Sequence, residues 1–102
     1  MNDSNDSTRT YPLVSVLMPV RNEGDFLSES LGAILSQDYP SDRVEIFVID
    51  GMSTDGTRDI VRSFQSKHAN VVLMNNPGKI VAKGMNLAIP RAHGEIIIRI
   101  DG

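Results

Sequence analysis

The chain has no cysteine and no tryptophan, and its only aromatics are two tyrosines and three phenylalanines. Without cysteine there is neither a disulfide framework nor a thiolate zinc site, which suits a reducing compartment. Long apolar runs are missing too, none approaching the roughly 20 residues that span a bilayer. The opening stretch from Met1 to Thr10 is polar and lacks the apolar core of a secretion signal. A disordered polar lead-in over residues 1–11 and a soluble, cytoplasmic chain are therefore expected. Charge of one sign is scarce: 10 Lys and Arg stand against 13 Asp and Glu, a net charge of -3. That balance argues against nucleic acid or an anionic membrane surface as partner.

Two phosphate-binding signatures are also absent. A dinucleotide fold needs several glycines in the turn after its first strand so that backbone can approach a pyrophosphate. Here that turn is Arg21-Asn22-Glu23-Gly24-Asp25, with one glycine and two carboxylates that repel phosphate. No G-x-x-x-x-G-K-[ST] run occurs, which removes the P-loop.

What remains is a regular alternation, with 40% apolar residues, enough for one modest domain. Leu13 to Val20 reads as a buried strand. Phe26, Leu27, Leu31, Ile34 and Leu35 recur at helical spacing after a cap at Asn22 or Asp25. Val44 to Asp50 is a second strand. Ser53, Thr54 or Asp55 caps a second helix whose inner stripe is Ile60, Val61 and Phe64. Val71 to Met74 is a third strand, and a third helix from Ile80 carries Met85, Ala88 and Ile89 until Pro90 ends or kinks it. The fourth strand, Ile96 to Ile100, runs into Asp101. Strands and helices alternating in this way predict an α/β, Rossmann-like parallel sheet in order 3-2-1-4 with helices on both faces. So apolar a fourth strand is expected inside a sheet, so residues 12–102 are expected to be the N-terminal part of a longer domain.

Asp50 and Asp101 close two of these strands, and ligands of open α/β sheets bind just past the carboxyl ends of strands. An acid ending strand two suits a ribose hydroxyl. With no glycine cradle, a diphosphate needs a divalent cation, Mg2+ or Mn2+, or Lys/Arg side chains, and Asp101 can be one metal ligand. Lys79 and Lys83 flank the third helix and can meet a diphosphate. Aspartates also end strands merely by turning into loops, and Ser53 to Thr57 reads as helix-start chemistry. His68 and His93 sit near helix ends, where an imidazolium offsets the dipole. Arg99, inside the fourth strand, must find a partner or a crevice. Met18, Met52, Met74 and Met85 read as core or crevice filler. A non-catalytic α/β module binding a nucleotide or a protein remains the alternative. A phospho-acceptor signalling domain would need an acid after strand three, where Asn75-Asn76-Pro77 supplies none.

Three segments together resemble a known family. They are Val14 to Glu23, Val48 to Thr57, and Asn86-Leu87-Ala88 through Gly94-Glu95-Ile96 to Asp101. In this order and spacing they are similar to the nucleotide-binding half of inverting family 2 glycosyltransferases with the GT-A fold, most of all those of succinoglycan-type exopolysaccharide biosynthesis. The resemblance implies a nucleotide-sugar donor, UDP above all, and a carbohydrate or lipid-linked acceptor. It implies that Pro19 and Arg21 lie beside the base with Glu23 nearby, and that Asp50 contacts base or ribose. It implies that Asp101 is the first acid of the D-x-D motif that holds the metal. Many members carry paired acids after strand two, whereas the pair here is Asp50-Gly51; the third D-x-D position falls past Gly102. The catalytic base is expected in the acceptor half, outside this chain, so the chain by itself is expected to bind donor rather than turn it over.

Overall fold

The computed structural model describes residues 10–101. Four strands, β1 (Val14–Val20), β2 (Val44–Asp50), β3 (Val71–Asn75) and β4 (Ile96–Arg99), form one sheet in the order β3-β2-β1-β4. Every neighbouring pair is parallel. Three helices, α1 (Gly24–Leu35), α2 (Thr57–Gln65) and α3 (Val81–Ala88), supply the crossovers.

β1 and β2 are nearly continuous apolar runs because both their faces are covered. On one face Val16, Met18, Val20, Ile46 and Val48 pack with Leu27, Leu31 and Val61 from α1 and α2. Alternation sends Leu17, Phe47 and Ile49 to the other face, against Ala88 of α3. Leu27 and Leu31 are fully buried, and each such side chain contributes about 1.5–3 kcal/mol.

Two local expectations change, the cap at Asn22 and the inward face at Ile89. Asn22 does not cap α1 but turns to the loop after β2, whereas Asp55, just ahead of α2, accepts the N–H of Thr57, the first residue of that helix, as expected of a cap there. α3 passes at Ala88 into a 3-10 turn, Ile89–Arg91, that contains Pro90 and leaves Ile89 exposed. β4 lies at the edge of the sheet among the described residues, as the order 3-2-1-4 places it, with all four of its residues exposed. Of the lead-in expected over residues 1–11, residues 1–9 lie outside the described residues. Tyr11 packs edge-on against Tyr39 with ring centroids 5.2 Å apart, and its carbonyl accepts from Arg43 Nε at 2.9 Å. Among the described residues no helix is long and apolar enough to cross a membrane.

Candidate functional site

Parallel register brings the carboxyl ends of the strands to one edge: Val20 pairs with Asp50, and Asp50 with Asn75. The loops that follow β1, β2 and β3 each contain one non-glycine residue in the left-handed region, Asn22 (φ 51°), Met52 (φ 63°) and Lys79 (φ 67°). Such residues cost roughly 1–3 kcal/mol and persist where surrounding contacts fix them. The three loops meet at Gly51, where a Cβ would lie 3.1 Å from the Lys79 carbonyl oxygen and 3.4 Å from Arg21 Cβ. A side chain there would press on Lys79 and Arg21, and the loops would have to give by a few tenths of an ångström.

Asp50 is fully buried. One of its oxygens accepts from the Ser53 N–H at 3.0 Å and from Arg58 Nη1 at 2.7 Å, and the other accepts from the Ser53 hydroxyl. Arg58, a quarter exposed, spends its other arm on Asn75 Oδ1 at 2.7 Å. Ser53 Oγ in turn accepts the Asn22 N–H at 2.8 Å, and Asn22 Oδ1 accepts the N–H groups of Thr54 (2.8 Å) and Asp55 (3.3 Å). Asp55 takes both the N–H and the hydroxyl of Thr57, and these bonds hold its carboxyl below the ordinary range. A continuous polar line therefore crosses the sheet edge from Asn75 to Asn22.

Beside that line lies a small cleft of about 80 Å³, lined by Pro19, Arg21, Glu23, Asn76, Lys79 and Val81 among others. Arg21 donates Nε to the Gly51 carbonyl at 2.9 Å. Asn76, 3% exposed, donates Nδ2 to the Ile80 carbonyl at 2.9 Å, yet its buried Oδ1 has no partner. A buried acceptor left open is a place for a ligand or water donor.

Asp101 follows β4, two residues past Arg99, which pairs with Leu17; the same register puts it level with Pro19. Its Oδ2 accepts from Arg99 Nη2 at 2.6 Å and from Nε at 3.0 Å. Both side chains are substantially exposed, at 50% and 40%, so the pair is worth only about 0–1 kcal/mol and yields readily to a stronger partner. Among the described residues no group of three or more His, Cys, Asp or Glu could hold a metal ion. One open carboxylate nonetheless fits Mg2+ chemistry, in which one or two carboxylates and the substrate phosphates complete the ion's shell.

The family model described as glycosyl transferase family 2 matches residues 15–102. The chain belongs to that family. It is 36% identical to the glycosyltransferase AglE of Haloferax volcanii over 98 residues, which is 93% of this chain and 32% of that protein. Among solved structures it is similar to the mannosyltransferase PcManGT of Pyrobaculum calidifontis in complex with GDP-Man and Mn2+, at a TM-score of 0.82 and 36% identity over 90% of this chain and 28% of the other. TarS of Staphylococcus aureus in complex with UDP-GlcNAc matches at a TM-score of 0.74 and 30% identity, over 86% of this chain and 26% of TarS. The chain thus spans about a third of the length of AglE and less of the two solved structures.

Against this family 2 background, Pro19, Arg21 and Glu23 come together in the cleft. Lys83 does not line it; its aliphatic stem lies over Gly78, and Lys79 is the lysine that the cleft contains. Asp50 lies at the expected edge, but Ser53 and Arg58 close over it and leave no surface for a ribose. Arg99 finds its partner in Asp101. His93 bonds Glu45 at the opposite edge through Nδ1 at 3.0 Å, and the His68 ring lies near Phe64. Sequence reasoning overlooked Arg58 and Asn76. A signal for Arg58 existed: a cation in the first turn of a helix opposes the dipole, so it needs a carboxylate to justify it.

Proposed function

We propose that this chain is the donor-binding part of a glycosyltransferase that moves a sugar from a nucleoside diphosphate to a hydroxyl acceptor. The carrying observation is the cleft at the carboxyl edge, where two basic side chains, Arg21 and Lys79, converge with the unpartnered Asn76 Oδ1. The cations suit the phosphates, and the buried, unpartnered Asn76 Oδ1 would accept an N–H of the base once the loop around it shifts to admit one. The donor we infer is a UDP-sugar, as the family resemblance and the TarS complex with UDP-GlcNAc favour. Complexes of PcManGT with GDP-Man and of TarS with UDP-GlcNAc support a nucleotide-sugar donor. Pro19 and Arg21 lie beside the base and Glu23 at its rim. Lys79, rather than Lys83, is the lysine nearest the phosphates.

Asp101 would hold a divalent cation, Mn2+ or Mg2+, by one carboxylate, releasing Arg99. Bound there, the ion would neutralise the departing diphosphate. The acceptor hydroxyl attacks directly with inversion, its proton taken by a base outside this chain. The acceptor is a carbohydrate or lipid-linked glycan of the succinoglycan type, reached at the cytoplasmic side of the membrane.

Calorimetric titration of UDP into the full-length protein, with Mn2+ and then with EDTA, tests the reading. UDP binding that Mn2+ strengthens in the parent and not in Asp101→Asn is expected. Binding of neither UDP nor GDP would reject a nucleotide donor, and a metal response surviving in Asp101→Asn would reject that residue as ligand.

A further inference from the structure

We propose that Arg58 is a positioning residue for the donor, acting through Asp50, and that Asp50 itself serves as an internal anchor and not as a ligand contact. The inference rests on the donor-site reading above. Asp50 has no exposed surface and both of its oxygens are engaged. Arg58 holds that carboxylate with one arm and Asn75 with the other, so its planar fork ties the end of β3 to the end of β2. Asp50 fixes Ser53 by two hydrogen bonds, and Ser53 accepts the backbone N–H of Asn22.

Asn22 stands between Arg21 and Glu23, the two charged residues that the β1–α1 loop sends into the cleft. Its left-handed backbone is held by the hydrogen bonds to Ser53, Thr54 and Asp55. Releasing Ser53 frees Asn22 to leave that conformation, and any such change reorients both neighbours at once. Arg58 thus controls cleft geometry without lining the cleft.

The test uses the full-length protein, with UDP affinity by calorimetry and unfolding temperature read in parallel. Arg58→Gln removes the fork, and Arg58→Lys keeps the charge but cannot span Asp50 and Asn75 together. Both are expected to weaken UDP binding by about tenfold, as changes along a coupling network do. Ser53→Ala lies on the same line, so combining it with Arg58→Gln should weaken binding no further than the stronger single change. Asn75→Ala, at an exposed residue, removes one anchor and should cost about threefold even if Arg58→Gln does not fold. A merely structural Arg58 predicts the opposite split: lower unfolding temperatures with UDP affinity unchanged in Arg58→Lys and Asn75→Ala. That result overturns the inference while leaving the donor site standing. A parent protein that binds neither UDP nor GDP overturns both.

Discussion

Replacing Gly94 by alanine should unfold the sheet's fourth-strand connection more than its single methyl group suggests. The segment before β4 presses directly on β1: the Gly94 N–H donates to Ser15 Oγ at 2.8 Å, and Ser15 is fully buried. A Cβ on residue 94 would lie 2.6 Å from Ser15 N, 2.6 Å from Ser15 Oγ and 2.8 Å from the Ile96 carbonyl oxygen. Two of these three neighbours are backbone atoms of paired strands, so no rotamer change relieves them. Overpacking of this kind costs about 1–3 kcal/mol, and losing the Gly94–Ser15 hydrogen bond adds about 1 kcal/mol. The sum, about 2–4 kcal/mol, corresponds to a fall on the order of 10–30 °C in the unfolding midpoint of a domain this size. Differential scanning calorimetry of the variant beside the parent measures it. A fall below about 4 °C, less than 1 kcal/mol on this scale, would show that the connection has room and that the close approach is not what selects glycine.

Two more outcomes concern the same frame. Partial burial pushes the Glu45 carboxyl up, but hydrogen bonds from the His93 N–H, the Ser15 hydroxyl and the His93 ring outweigh that and leave it below the ordinary glutamate value. A depressed folded-state value means stability present above the ordinary range and lost as pH falls through the folded value. Glu45→Gln should therefore lower the melting temperature at pH 7, and the difference should begin to shrink only as pH falls below the ordinary glutamate value of about 4.3; a constant difference down through that region would remove ionisation from the account. Met52, exposed and left-handed at φ 63°, should gain stability as glycine, by about 1 kcal/mol in denaturant titration; a loss would mean that its side chain packs usefully.

The strand order was legible because buried parallel strands write themselves as apolar runs, and the turns between them carry proline, glycine and aspartate at the right intervals. Asp50 was legible as a strand end but not as a buried anchor, since its burial depends on Arg58 arriving from the next helix. Asn75 and Asn76 carry no acid, and that plainness hid them: one anchors Arg58, and the other, beside the cleft, keeps a buried amide oxygen without a partner. Capping was misread at Asn22, where a side chain suited to starting its own helix instead ties down the neighbouring loop. For Asp50, Asn75 and Asn22 the deciding partner lies at least eight residues away, and local pattern carries no record of it.

β4 has a practical consequence for handling the protein. Ile96, Ile97 and Ile98 are 45%, 48% and 43% exposed, and the outer row of backbone N–H and C=O groups along β4 has no strand beside it among the described residues. Such an edge is a template for strand addition between molecules. Produced by itself at high concentration, this 102-residue chain would self-associate through β4. Its light scattering would rise with concentration, and its apparent melting point would report edge pairing more than the loops around Gly51. A lysine at Ile97, whose register partner is Ser15, would blunt that edge and give a better-behaved reagent.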